Sequence, residues 1–249
     1  MIVLKTGREL KIMREACRIS AAALQLIGNA VEPGVTTAEL DAMAEKFIIS
    51  QGAVPNFKNY EGYPATACIS VNNEVIHGIP SKKRRLCAGD IVSVDLGAKF
   101  DGYHGDNAAT FACGDASAEA KRLMDTTRES LFEGIAAARA GNRIGDIGHA
   151  VQSYVEARGY SVVRQYVGHG IGTEMHEAPE VPNFGTPGRG VRLLPGMTIA
   201  IEPMVNAGKP GVKVMPDGWT VLTQDGSLSA HFENTIVITP DGPQILTVV

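Results

Sequence analysis

The sequence predicts an α+β fold built from two related halves. Segments 33–52 and 140–159 align at a shift of 107 residues, and both end in glycine. The same shift superposes LCAGDIVSVDLG (86–97) on LLPGMTIAIEPM (193–204). Each copy passes from an amphipathic helix to an apolar, β-branched strand. We therefore expect a pseudo-two-fold internal repeat with an antiparallel sheet and helices packed on one side.

The first two helices are indicated by capping boxes, in which a threonine precedes a glutamate by three residues. Thr6 with Glu9 opens the first helix, and Thr36 with Glu39 opens the second. Each half is thus expected to place helices before its strands.

The two halves follow one another without a linker. No Ser/Gly-rich stretch or charge run divides them, and residues 114–117 form only a short turn. We therefore expect residues 1–249 to form a single catalytic domain. Its N-terminal half covers about 10–115 and its C-terminal half about 116–249, with a cleft between them.

Composition excludes several classes of protein. The chain has 249 residues, of which 44% are hydrophobic, and a formal net charge of -4, so no basic surface for nucleic acid is expected. No signal peptide and no run of 18 apolar residues occurs, which favours a cytoplasmic protein without a membrane anchor. The four dispersed cysteines are expected to be reduced thiols. They are Cys17, Cys68, Cys87 and Cys113.

Four carboxylates recur at matching places in the two halves. The shift of 107 places Asp95 on Glu202. YHGDNAATF (103–111) pairs with AHFENTIVI (230–238) at a shift of 127, which places Asp106 on Glu233 and leaves 20 extra residues in the second hairpin. Acids on apolar strands are costly to bury unless cations neutralise them. This pattern predicts a metal site in the cleft.

Histidines near glycine or acid complete the predicted site. GHGIGTEMHE carries His169 and His176, and NNEVIHGIP carries His77. Oxygen-rich ligation with one histidine suits Mn, Fe, Co or Zn, and two such ions can activate a shared bridging water for hydrolysis. GxSxG, GxGxxG and Walker motifs are absent from the sequence. The other three histidines are expected to be ordinary surface or core residues. They are His104, His149 and His231.

Several segments jointly resemble the type I methionine aminopeptidases, which have the pita-bread fold. They include CISVNNEVIHGIP, GDIVSVDLGAKFDGYHGDNAATF, GHGIGTEMHEAPEVPNF, LLPGMTIAIEPMV and SLSAHFENTIVIT. The similarity runs from about Leu10 to the C-terminus. It implies two divalent metal ions, drawn from Co, Mn, Fe, Zn or Ni, and removal of the initiator methionine from nascent proteins.

The resemblance also implies a role for each metal ligand. Asp95 would chelate one ion, Asp106 and Glu233 would bridge both, and His169 with Glu202 would complete the other. The free amine of the substrate would bind the ion held by Asp95, and this contact would restrict cleavage to chain ends.

Three catalytic residues follow from the same resemblance. Glu202 would pass a proton from the attacking water to the leaving amine. His176 would stabilise the carbonyl oxygen as it becomes negative, and His77 would contact the scissile amide or the residue beyond it.

A soft, apolar and aromatic pocket for the methionine side chain is implied as well. Related enzymes often carry cysteine and phenylalanine where this chain has Phe57 and Met175, and often histidine where it has Asn234. The positions that match the family's pocket are Phe57, Tyr60, Tyr63, Cys68, Met175 and Trp219.

The partners implied by the resemblance are peptides with N-terminal methionine and nascent polypeptides, with transient contact to the ribosome. We expect a monomer that binds neither membrane nor nucleic acid. Two alternatives stay open. One is an Xaa-Pro aminopeptidase or prolidase of the same fold, and the other is a non-catalytic pita-bread binding module.

Overall fold

The helices agree with the sequence pattern. The computed structural model describes residues 2–249. Both expected capping boxes are confirmed, because Thr6 and Thr36 each accept from the backbone of the glutamate three residues on. A short 3-10 turn covers Tyr60–Gly62. The helices are α1 (Gly7–Ala30), α2 (Thr37–Ser50), α3 (Ala118–Ala137) and α4 (Ile144–Glu156).

The strands are short outside the central hairpin. They are β1 (Val54–Pro55), β2 (Ala67–Val71), β3 (Glu74–Ile76), β4 (Ile91–Phe100), β5 (Tyr103–Ala112), β6 (Ser161–Val162), β7 (Gly168–Gly170), β8 (Glu177–Val181), β9 (Thr198–Ile201), β10 (Met204–Asn206), β11 (Val212–Val214), β12 (Val221–Thr223), β13 (Ser229–His231), β14 (Glu233–Thr239) and β15 (Gly242–Ile245). Where paired, they are antiparallel, as the hairpin pattern predicts.

One large sheet joins both halves of the chain. Its order is β1-β4-β5-β14-β9-β7-β8, with β2 added to β4 and β15 added to β14. The two halves meet where β5 pairs with β14, a contact of two residue pairs that sets Glu233 opposite Ala108 and Asn234 opposite Asn107. The seam between the repeats therefore carries one of the predicted ligands.

The helices cover one face of this sheet. On β4, alternate residues Val92, Val94 and Leu96 are buried in a cluster with residues of α1 and α2. In the second half, Ile199 of β9 and Ile236 of β14 are buried with residues of α3 and α4. Because successive side chains of a strand point to opposite faces, the intervening positions face away from the helices. The predicted acids occupy those positions.

Close contact between α1 and β5 requires glycine at position 105. A Cβ at Gly105 would lie 2.6 Å from Cys17 Cα, so the helix backbone rests directly on the strand. Cys17 itself is fully buried there. This contact fixes β5 against α1 beside Asp106.

The 20 extra residues of the second half form a separate small sheet. Strands β11 and β12 make a hairpin, and β12 pairs with β3 of the first half. The turn of this hairpin carries Trp219, which lies between the two strands in sequence. The insertion thus extends across to the first half. Among residues 2–249, no helix has the length and hydropathy needed to span a membrane.

Candidate metal centre

The acidic residues converge because of strand register. Ala108 of β5 pairs with Asp95 of β4 on one side and with Glu233 of β14 on the other, so the two acids lie on either side of this alanine. Asp106 pairs with Gly97, two residues beyond Asp95 on the same strand face. All of them therefore point to the face without helices.

The second pair of acids lies in a different register from the first. The last residue pair between β9 and β14 joins Ile201 to Asn234. Glu202 and Glu233 each lie one residue past this last pair, so they are next to each other across the two strands. In the first half, Asp106 pairs with Gly97, which is two residues from Asp95. The repeat found in the sequence relates the four acids, but their spacing differs between the halves.

Three predicted ligands form a compact cluster. Asp106, His169 and Glu233 each offer one donor atom, and these atoms all lie within 4.8 Å of one another. Glu202 adjoins them, with its Oε1 3.6 Å from His169 Nε2. Asp95 lines the same cavity. The five predicted ligands thus share one site.

Unsatisfied oxygens indicate that this site suits a cation. Asp95 Oδ1, Asp106 Oδ1 and Glu233 Oε1 are buried and have no hydrogen-bond partner among the described residues. Burial raises the pKa of all three carboxyls, and repulsion from neighbouring acids adds to this for Asp95 and Glu233. Burying a carboxylate oxygen without a hydrogen-bond donor costs free energy unless a cation binds it. This set of oxygen and nitrogen ligands therefore fits one or more divalent ions.

The tautomer and the charge of His169 are those of a neutral metal ligand. Its Nδ1–H donates to the carbonyl oxygen of Gly170 at 2.9 Å, which leaves the Nε2 lone pair free to face the carboxylates. Burial lowers the pKa of His169 to about 4, so the imidazole is uncharged near neutral pH. A neutral imidazole with a fixed tautomer is the form that binds metal.

His176 stands at the mouth of the cavity, where it is exposed. Its ring lies against His169, with 4.3 Å between the ring centroids. Tyr60 Oη is 2.8 Å from His176 Nδ1. When the hydroxyl donates to Nδ1, the ring proton resides on Nε2 and can be donated to a substrate.

His77 adopts a strained backbone conformation, with φ of 59°. A non-glycine residue in the left-handed region is uncommon and is often found at functional sites. The ring packs edge-on against Tyr166 and Trp219, at centroid distances of 5.8 Å and 6.1 Å. Burial, with a smaller effect of His176, lowers the pKa of His77 to about 4. A neutral imidazole is therefore held at the cavity wall.

An apolar pocket adjoins the acids. Tyr63 is almost fully buried and its hydroxyl lies within hydrogen-bond distance of Ala67 O (3.1 Å) and Gly78 O (3.0 Å), so its ring is fixed. Trp219 meets that ring edge-on at 5.1 Å between centroids. The remaining members of this cluster are Phe57, Tyr60, Ala65, Cys68, Met175 and Ile79.

One cavity of about 200 Å³ contains the whole predicted site. All of the predicted metal, catalytic and pocket residues line it, together with Glu61, Ile76, Tyr166 and Val167. These four were not predicted, because none of them belongs to an acidic, histidine or repeat pattern in the sequence.

His231, to which the sequence assigned no functional role, lies next to a predicted ligand. It was expected to be an ordinary surface or core residue; its side chain is almost fully buried, and its Nε2 lies 3.8 Å from Glu202 Oε2. Neither ring nitrogen has a hydrogen-bond partner among residues 2–249. A signal was available, since His231 lies two residues before Glu233 and thus on the same face of the chain.

Comparison with known proteins places the chain among metallopeptidases. A methionine aminopeptidase of Clostridium acetobutylicum is 56% identical over 99% of this chain and 99% of its own length. The crystal structure of methionine aminopeptidase from Thermotoga maritima superposes with a TM-score of 0.99, at 45% identity and 100% coverage of both chains. The expected α+β pita-bread fold is confirmed by this match.

A more distant relative shares the fold within a longer chain. The Xaa-Pro dipeptidase from Bacillus anthracis matches with a TM-score of 0.80 at 27% identity, over 99% of this chain but 62% of the dipeptidase. The model of metallopeptidase family M24 matches residues 11–240, which agrees with the oxygen-rich donor set. On this match, and on relatives that are similar over their full length, the chain belongs to metallopeptidase family M24.

Proposed function

We propose that this chain is an aminopeptidase that removes methionine from the N-terminus of peptides and nascent polypeptides. The single observation that carries the proposal is the cavity of about 200 Å³, in which the acidic cluster adjoins a small pocket of aromatic and sulfur-containing side chains. So small a pocket suits one side chain next to the cleavage point. The full-length similarity to methionine aminopeptidases supports the same substrate class.

The proposed cofactor is a pair of divalent cations. Asp95 would hold one, His169 and Glu202 the other, and Asp106 with Glu233 would contact both. When bound, such ions lower the pKa of a water molecule and offset negative charge on the carbonyl oxygen. The unpaired buried oxygens of Asp95, Asp106 and Glu233 support this assignment.

Proton transfer is assigned to Glu202. Its carboxylate lies between His169 and His231, at 3.6 Å and 3.8 Å from their Nε2 atoms, and it lines the cavity. Burial and the charge of Asp106 raise its pKa in the metal-free protein. At this position the carboxylate can accept a proton from the attacking water and donate it to the leaving amine.

His176, which is exposed, and His77, which is half-buried, act on the peptide. His176, with Nδ1 bonded to Tyr60, presents Nε2–H to the carbonyl oxygen and stabilises the charge that develops there. His77, neutral and fixed by its strained backbone, donates to the amide region of the substrate. Their fixed positions orient the carbonyl group between the acids and the apolar pocket.

The test is hydrolysis of Met-Ala-Ser by metal-depleted protein before and after addition of Co or Mn. We expect turnover only after addition, with little cleavage of a matched Xaa-Pro peptide. Glu202→Gln should abolish turnover, whereas Glu133→Gln on the exposed face of α3 should leave it unchanged. Equal or faster cleavage of the Xaa-Pro peptide would identify a proline-specific peptidase. Absence of any turnover by folded, metal-loaded protein would favour a binding module.

A further inference from the structure

We propose that Lys5 is a positioning residue for the reaction. Through a buried ion pair with Glu177, it holds the turn of residues 172–177, which carries Met175 and His176. This role rests on the proposed function, in which His176 donates to the carbonyl oxygen of the substrate. Lys5 itself does not line the cavity.

The Lys5 side chain is buried to an extent that is rare for lysine. Only 2% of it is exposed, its Nζ lies 2.5 Å from Glu177 Oε2, and 11% of the Glu177 side chain is exposed. The chain has a surface pair for comparison, Lys58 with Glu45, at the same N···O distance but with 40% and 32% exposure. A surface pair contributes little, whereas removing one partner of a buried pair leaves an uncompensated charge.

Glu177 connects this ion pair to the turn. It directly follows His176 in the chain, and its second oxygen, Oε1, accepts from the backbone N–H of Glu174 at 3.3 Å. Gly172 N–H donates to the carbonyl of Glu174 at 3.0 Å. The carboxylate of Glu177 thus bonds to Lys5 with one oxygen and closes the turn with the other.

The backbone of the turn packs closely against the ion pair. A Cβ at Gly172 would collide with Lys5 Cε and Glu177 Oε1. On its other side, the carbonyl of Gly172 accepts from the backbone N–H of His104 on β5, at 2.9 Å. The turn is therefore packed between β5 and the lysine side chain.

The backbone of Lys5 is fixed independently of the turn. Its N–H donates to Gly196 O at 2.7 Å, and Gly196 N–H donates to Ile238 O on β14 at 2.9 Å. Thr6, the next residue, caps α1. The backbone of Lys5 is thus linked to β14 through Gly196 and to α1 through Thr6, and the ammonium group extends from this anchored segment to the turn.

Loss of the ammonium group should displace His176 more than it disturbs the acids. An unpaired Glu177 carboxylate would move towards water and draw the turn with it. Asp95, Asp106 and Glu233 lie on β4, β5 and β14, which pair with one another, and the bond from His104 N–H to the turn lies at the start of β5, two residues before Asp106. The defect should consequently appear in kcat, through a poorer contact to the carbonyl oxygen, with metal binding retained.

The experiment measures kcat, KM, bound metal and thermal unfolding for Lys5→Met and Glu177→Gln, with Lys58→Met as the matched control. We expect Lys5→Met to lower kcat by about tenfold or more with KM changed less than about threefold. Lys58→Met should stay within about twofold of the wild type. Metal content should be unchanged in all of them.

A His176→Ala background separates positioning from general destabilisation. If Lys5 acts through His176, adding Lys5→Met to His176→Ala should lower kcat by less than about twofold. An equal loss in both backgrounds would overturn the proposal, as would unchanged kcat in Lys5→Met. If Lys5→Met fails to fold, the isosteric Glu177→Gln provides the same comparison. Failure of the proposed function would instead appear as an inactive wild type.

Discussion

His176→Ala tests the proposed chemistry apart from metal binding. His176 is held by Tyr60 Oη at 2.8 Å and packs edge-on against His169 at 4.3 Å between centroids, so it is oriented before substrate binds. Loss of one donor to a developing oxyanion costs about 2.7–4 kcal/mol, or about 10²–10³ in kcat. Since His176 is exposed at the cavity mouth, we expect the lower end, about 10².

The assay compares initial rates of Met-Ala-Ser hydrolysis with metal content determined on the same samples. His176→Ala should retain the metal of the wild type, because Asp106, His169 and Glu233 still form the cluster. Asp106→Ala should lose both metal and turnover. His149→Ala, on the exposed face of α4, is the control and should behave as the wild type. A His176→Ala variant with normal kcat, or one that has lost its metal, would contradict a role for His176 at the carbonyl oxygen that is separate from metal binding.

Three further predictions concern protons, packing and specificity. Because burial raises the pKa of the Asp106 and Glu233 carboxyls in the metal-free protein, cations compete with protons there. Calorimetric metal affinity should therefore rise with pH, by up to about tenfold per unit for each proton displaced, and a pH-independent affinity would contradict this. Gly105→Ala places a Cβ 2.6 Å from Cys17 Cα and should destabilise the fold by about 1–3 kcal/mol in urea unfolding, whereas Gly7→Ala, with no atom within 4 Å, should not. Equal stability of the two variants would count against the packing argument. Trp219→Ala should lower kcat/KM for Met-Ala-Ser by about tenfold or more with little change in stability, and an unchanged kcat/KM would remove Trp219 from the pocket.

The four acidic ligands could be predicted from the sequence for a physical reason. A carboxylate on an apolar strand breaks the expected pattern, and the repeat places Asp95 with Glu202 and Asp106 with Glu233. Strand alternation then directs these side chains to the face without helices. The register difference between the halves was not predictable, because it depends on where β9 ends and not on the repeat.

Other features of the site depend on contacts between distant parts of the chain. Lys5 precedes a helix cap and resembles a solvated residue, yet its partner Glu177 lies 172 positions away. Trp219 lies in an insertion whose docking on β3 has no counterpart in the other half. His231 could have been suspected from its spacing to Glu233, but a single histidine on a strand is more often an ordinary core residue. Such contacts follow from tertiary packing, which local pattern does not encode.

Metal dependence is tested by titrating metal-depleted protein with Mn and measuring bound metal and Met-Ala-Ser turnover on each sample. We predict no turnover without metal, turnover that rises with occupancy, and loss of both in Asp106→Ala. Full turnover by the metal-free chain, or wild-type occupancy in Asp106→Ala, would show that these buried carboxylates do not hold a catalytic metal.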